Sequence, residues 1–265
     1  MRRLAVIGHL ARDVVDGGAP RIGGAPWYAG RALRVLGRPA HIAAKCGEAD
    51  RRRFLSNLAE LGLPVRLVTG GETTEFAIDY DAEPRRMSVG AVGEPWTPAE
   101  AVRAVDRAEW VQVAPLLRSD FPPETLAALG RGRRLLLDAQ GLVRVPQTGP
   151  LQFDTNFDPA LLDAVAILKI AEEEAIALTG SIDDVVRLGV PEVIVTLGTL
   201  GCIVYARGRV ERVPARPLDG VKDPTGAGDG FGAAYLSARA EGHAPASAAR
   251  RATALVGGLL SGRAR

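Results

Sequence analysis

Residues Asp223 to Asp229 read Asp-Pro-Thr-Gly-Ala-Gly-Asp and run without a break into Gly-Phe-Gly-Ala-Ala-Tyr-Leu-Ser-Ala, a small apolar stretch of the kind that begins a buried helix. A glycine-rich turn at the mouth of a helix leaves several main-chain N–H groups unpaired, converging where the helix dipole is positive. Such a turn can hold an anion. Asp229 follows on the first helical turn, where a carboxylate can take the proton of a hydroxyl lying between it and the anion. The segment therefore suits phosphoryl transfer. A plain helix start, with Asp229 complementing the dipole, is the alternative for any single Gly-x-Gly; here the whole run agrees.

The rest of the chain reads as α/β. Short apolar runs at Leu4–Gly8, His41–Lys45, Trp110–Val113, Leu135–Asp138, Val165–Lys169 and Glu192–Leu197 suit strands buried on both faces. Helical patterns at Trp27–Leu36, Arg51–Leu61, Pro98–Arg107, Pro122–Leu129 and Ile182–Leu188 separate them. Strands alternating with helices predict a doubly wound, mostly parallel sheet flanked by helices, with ligands at the carboxyl ends of its strands. Asp229–Glu241 and Ala246–Leu260 read as two closing helices rich in small residues. Thr73–Tyr80 and Arg85–Val89, on either side of Asp81–Pro84, break the alternation as a hairpin, which must lie outside the main sheet. That predicts a small β hairpin at about residues 73–90, which by itself reads equally as a plain surface element. Gln140–Asn156 reads as a connecting loop, and no repeat or long linker divides the chain, so one domain over residues 1–265 is expected.

Composition excludes several classes of function. The 265 residues are 47% hydrophobic and 24% charged, ordinary for a globular protein able to bury one large core. The net charge of +2 is spread along the chain, and Arg51–Arg53 reads as a solvated helix face, so no nucleic acid partner is expected. With no apolar run of about 18 residues and no charged-then-apolar leader, no membrane association and a soluble, cytoplasmic protein are expected. Cys46 and Cys202 lie far apart without metal-ligand spacing and read as reduced core residues. Three lysines, Lys45, Lys169 and Lys222, among 33 basic residues point to coding bias rather than function.

Asp223 through Leu236 resembles, position for position, the C-terminal signature of the ribokinase-like (PfkB) family of carbohydrate and nucleoside kinases. The resemblance implies that Asp229 is the catalytic base and that the amides of Gly226, Ala227 and Gly228 form the anion hole. It also implies the cofactors ATP and Mg2+, a small sugar, polyol or nucleoside as acceptor, and a lid that in some members dimerises, hence a possible homodimer. Thr73, Thr74 and Arg86 stand where the family's lid strands carry similar residues.

On the acceptor side, Asp13, in the loop expected beyond the first strand, matches the family's acceptor-binding aspartate. Gly23 and Gly24 precede a helix with spacings to Gly37 and Gly47 that resemble the family's N-terminal signature, and glycines there allow close approach of a substrate. Tyr28 stands where the signature has asparagine, which disfavours ribose and sugars bound like it. Trp27 and Tyr28 either wall a cyclitol or nucleoside site or belong to the core; inositol-phosphorylating members resemble this chain in carrying an aromatic residue here.

On the donor side, Lys169 begins the segment Lys-Ile-Ala-Glu-Glu-Glu. The family has asparagine, two residues, then a glutamate that orders magnesium waters; Glu174 fits the glutamate and Ala171 replaces the asparagine. A largely water-bound magnesium can survive that loss. Thr196, Gly198 and Gly201 resemble the family's Thr-x-Gly-x-x-Gly nucleotide loop. A phosphotransferase is thus the expected activity, with a non-catalytic nucleotide or metabolite sensor on the same fold as the alternative.

Overall fold

The computed structural model describes residues 3–79, 86–218 and 223–262. In chain order the strands and helices are β1 (Leu4–His9), β2 (Ala11–Val15), β3 (Arg21–Gly23), α1 (Ala25–Val35), β4 (Ala40–Cys46), α2 (Arg51–Ala59), β5 (Val65–Thr69), β6 (Thr74–Asp79), β7 (Arg86–Ala91), α3 (Pro98–Ala104), β8 (Trp110–Ala114), α4 (Pro123–Gly130), β9 (Arg134–Asp138), α5 (Gln140–Val143), β10 (Gly149–Pro150), β11 (Val165–Ala171), α6 (Glu172–Thr179), β12 (Glu192–Thr196), β13 (Cys202–Ala206), β14 (Arg209–Val213), α7 (Ala227–Ala240) and α8 (Pro245–Leu260).

Nine strands form one sheet in the order β14-β13-β12-β11-β9-β8-β1-β4-β5, parallel except that β13 runs antiparallel between β12 and β14. Leu4 and Val6 enter one apolar layer, Ala5 and Ile7 the other. That two-sided burial is why β1 reads as an unbroken apolar run. The first layer packs under α1, α2, α7 and α8, the second under α3, α4 and α6. Helix α7 is buried from Gly230 to Ala238 because its small residues admit close neighbours. A Cβ on Gly232 would lie 2.7 Å from Nε2 of Gln112, so glycine there lets α7 rest directly on β8.

The lid is larger than a hairpin. Strands β6 and β7 pair antiparallel as expected, but they belong to a second, five-stranded sheet in the order β10-β7-β6-β2-β3, with its own apolar cluster of Ala11, Phe76, Ile78, Val89, Leu116 and Leu117. Its central pair, β2 and β6, is parallel, with Ala11 opposite Thr74. The expected turn at Asp81–Pro84 lies outside the described residues. Three further expectations change. Asp13 is not in a loop but in β2, because Ala11–Val15 finds β3 and β6 as partners. The expected loop over 140–156 contains α5 and β10. Ile182–Leu188 winds as a 3-10 helix ending at left-handed Gly189 rather than as an α-helix.

Candidate active site

The Gly-Ala-Gly turn opens α7 as its sequence implies. Gly226 caps the helix with φ 77°, a left-handed conformation natural to glycine, and its carbonyl accepts from the Gly230 N–H at 2.9 Å. The Ala227 N–H donates to the Pro224 carbonyl at 3.0 Å and so shapes the turn. The N–H groups of Gly226 and Gly228 find no acceptor among the described residues. A Cβ on Gly228 would lie 3.0 Å from the Nζ of Lys169, so a buried ammonium stands directly beneath the turn. Main-chain donors, the helix dipole and a fixed cation thus meet at one point, where an anion is stabilised.

Lys169, two residues before the end of β11, places its Nζ 2.5 Å from Oδ2 of Asp138, itself fully buried. Burial disfavours the charge on Lys169, but Asp138 and Glu174 outweigh it and raise its pKa. Glu174 is buried at the start of α6 and accepts from the Ala171 N–H at 3.0 Å through Oε2. Burial, then the charge of Asp138, raises its pKa.

Asp229 keeps partial contact with solvent. Burial and the charge of Asp138 push its pKa up to about 7, against the attraction of Lys169 and Arg144. A carboxylate poised near neutrality can accept a proton and release it again. Its main-chain carbonyl accepts from Nε2 of Gln112 at 3.2 Å, which ties the start of α7 to β8.

Across from α7, Asp13 of the lid sheet is buried, and burial lifts its pKa to about 6 despite the nearby Arg21. A Cβ on Gly23 would lie 2.0 Å from an Asp13 carboxylate oxygen, and one on Gly24, at φ 90°, would lie 2.2 Å from the His9 carbonyl oxygen. The paired glycines are therefore what lets the carboxylate and the chain turn share that corner. The Tyr28 hydroxyl donates to Asp13, while its ring lies against Gly226, where a Cβ would be 2.0 Å from Cγ. Burial and the charge of Asp13 raise the Tyr28 pKa. Tyr28 thus bridges the lid sheet and the glycine turn. Trp27 and Tyr28 also line a cavity of about 340 Å³ with Gly226 and Ala227 of the turn, Val256 and Leu259; Asp229 is not among its lining residues.

The nucleotide-loop residues are less closely joined to this cluster. Thr196 directs its hydroxyl to the Ile170 carbonyl at 3.3 Å. Gly198 opens a short 3-10 turn, and Gly201, at φ 99°, would place a Cβ 2.1 Å from the Val213 carbonyl oxygen. The turn needs both glycines, and it stands just beyond β12, the strand next to β11.

Sequence reasoning did not single out Asp138, Arg144, Gln112 or the Arg21–Asp223 ion pair at 2.5 Å. Asp138 and Gln112 read as strand residues, and only the fold brings them to α7. A signal did exist for Asp138: a carboxylate closing an otherwise apolar strand.

No group of three or more His, Cys, Asp or Glu side chains that could hold a metal ion occurs among the described residues. No helix of the described residues is long and apolar enough to cross a membrane.

Known proteins resemble the chain over most of its length. A fructokinase of Klebsiella pneumoniae is 28% identical, over 89% of this chain and 83% of that protein. A cytidine kinase of Thermococcus kodakarensis is 26% identical, over 91% of this chain and 90% of that protein. The solved structure of a pyrophosphate-dependent kinase of the ribokinase family, complexed with a pyrophosphate analog and myo-inositol, superposes with a TM-score of 0.85 at 27% identity, covering 96% of this chain and 93% of that one. Residues 17–257 match the family of pfkB carbohydrate kinases. The glycine turn, Lys169, Asp138, Glu174 and Asp229 lie within that span, and the protein belongs to the PfkB family of kinases.

Proposed function

We propose that this kinase phosphorylates a hydroxyl of a small polyol, with a cyclitol such as inositol ahead of sugars and nucleosides. Asp229 is the base, and the free amides of Gly226 and Gly228, with Lys169 beneath them, bind the transferred phosphoryl group. The observation that carries this reading is the half-open Asp229, lifted to about 7, at the mouth of a turn with a buried ammonium under it. Asp13, Gly23 and Gly24 hold the acceptor's hydroxyls from the lid side. Tyr28 supplies a flat wall suited to a ring, and the myo-inositol bound by the pyrophosphate-dependent neighbour supports that choice.

ATP is the donor that the family resemblance implies, with Thr196, Gly198 and Gly201 under the nucleotide. The neighbour's use of pyrophosphate makes that the second donor to test. Magnesium fits this site only as an ion carried by the donor's phosphates, with Glu174 reaching it through water, since the described residues offer no protein cage. When bound it neutralises phosphate charge. The residues do the rest: they align the acceptor, take its proton at Asp229 and keep water out between the two sheets.

The test is product formation with magnesium and either ATP or pyrophosphate, across myo-inositol, fructose, ribose and cytidine. A phosphorylated product that disappears in Asp229→Asn supports the reading. Donor binding with no product from any acceptor would overturn it in favour of a sensor, the reading that Ala171 in the family's asparagine position would then explain.

A further inference from the structure

We propose that Arg21, on the lid sheet, is a positioning residue: by gripping Asp223 it sets the pose of the glycine turn whose amides receive the phosphoryl group. The inference rests on the phosphotransferase reading above and deepens it, naming what holds the anion-binding turn in place.

The contacts that run from β3 to the turn are continuous. Nη2 of Arg21 donates to Oδ2 of Asp223 at 2.5 Å and also reaches Oγ1 of Thr225 at 3.4 Å. The other oxygen of Asp223, Oδ1, accepts from the Thr225 N–H at 3.0 Å and from the Thr225 hydroxyl at 2.5 Å. Both carboxylate oxygens are thus engaged, one by the lid sheet and one by the residue just before Gly226. Burial would raise the Asp223 pKa, but Thr225 and Arg21 outweigh it and hold the carboxyl below its ordinary value. Pro224, between the two, accepts from the Ala227 N–H, and Gly226 follows in its left-handed conformation. A displacement of Asp223 is therefore passed on to the amides of Gly226 and Gly228.

Arg21, Asp223, Thr225, Gly226 and Ala227 all line the cavity of about 340 Å³. On that side the turn faces open space instead of packed side chains, so its pose depends on a tie. Tyr28 braces Gly226 with its ring, and Arg21 braces the residues that lead into it. The side chains of Arg21 and Asp223 are 41% and 36% exposed, and an exposed ion pair adds little to overall stability. This pair is placed to fix geometry.

Arg21 also stands directly opposite Asp13 where β2 pairs with β3. Facing residues of adjacent strands share one face of the sheet. The carboxylate assigned to the acceptor and the grip on the phosphate turn are thus neighbours, and Arg21 sets the two sides of the reaction in register.

The test combines kinetics with amide exchange. At pH 8, above the Asp13 value of about 6, Arg21→Gln and Asp223→Asn should each cut kcat about tenfold with the acceptor KM within about twofold. Arg21→Lys should recover part of that loss. The double variant should be no slower than the worse single one, because both break the same link. Hydrogen exchange over residues 225–230 should speed up at least fivefold in each single variant and no further in the double, while melting temperatures stay within about 2 °C of wild type. Losses that multiply in the double variant, an acceptor KM that rises with kcat unchanged, or unaltered exchange would each overturn the proposal. If exchange responds as expected yet no acceptor is ever phosphorylated, the grip on the turn stands and the kinase reading falls.

Discussion

His9 at the end of β1 and Asp229 at the start of α7 both stand at the carboxyl edge of the nine-stranded sheet, each within a group of buried charges, and the two groups are built to opposite ends. Around His9, protein meets protein. Its Nδ1 faces Asp120 at 3.2 Å and its Nε2 meets the Glu94 carbonyl at 2.9 Å, while Asp120 accepts from the Leu116 and Leu117 N–H groups. Lys45 donates to the Pro95 carbonyl and to Glu100, over the face of Trp96. Burial disfavours charge on His9, but Asp120 outweighs it and the pKa rises. Around Asp229, carboxylates outnumber the cations beside them: Asp138, Glu174, Asp229 and Asp13 against Lys169 and Arg144. The side chain of Asp229 makes no hydrogen bond among the described residues. The first group locks the lid-side loops to the sheet, and the second leaves its charge for something that is not protein.

The hardest test of that contrast is Asp229→Asn. Turnover should fall by about 10³-fold or more, the loss expected of a general base, while donor binding by calorimetry persists. An active Asp229→Asn would put the two groups on the same footing. Next in size comes Asp120→Ala, which strands buried His9 and two main-chain donors; urea melts should show a loss of about 3–5 kcal/mol. Turnover per folded molecule should stay close to wild type. A specific loss of activity there would move the His9 group into the catalytic machinery.

The same contrast has a pH signature. Asp229 has a folded pKa of about 7, above the ordinary carboxylate value of 3.8. A raised acid destabilises the fold progressively as pH climbs from its unfolded value through its folded one, and fully above it. Asp229→Asn should therefore melt higher than wild type at pH 8, by a few degrees, and the gap should close as pH falls toward 4. In wild type, kcat/KM should fall with an acid limb near 7, where Asp229 takes up its proton. A site that is least stable where it is most active is what an uncompensated carboxylate produces.

How far this was legible in the sequence depended on distance along the chain. The turn at Gly226–Gly228, Asp229 and the strands buried on both faces are local patterns, and they stand where they were expected. The lid sheet was only half legible, because β2 and β3 are short and the pairing of β2 with β6 spans the whole of β3, α1, β4, α2 and β5. Asp13 consequently read as a loop residue. Asp138 and Arg144 were not legible at all as partners of Asp229, since their elements meet only in the folded sheet. Lys169 was assigned to the donor, but nothing in its surroundings along the chain announced that Asp138 would hold it beneath Gly228.

The smallest expected effect probes the hinge between the two sheets. Tyr28 donates its hydroxyl to Asp13 and rests its ring on Gly226, so Tyr28→Phe keeps the wall and removes one donor. That donor lowers the pKa of Asp13, which burial has raised to about 6; without it Asp13 should titrate higher still. An acceptor hydroxyl binds best to the ionised carboxylate. The acceptor KM of Tyr28→Phe should therefore rise a few-fold at pH 6 and converge on wild type at pH 8, with the donor KM unmoved at both. A KM change that is the same at both values would mean that Tyr28 acts through shape alone. The acceptor would then owe its hold to the flat wall, with the charge of Asp13 playing no part in how tightly it binds.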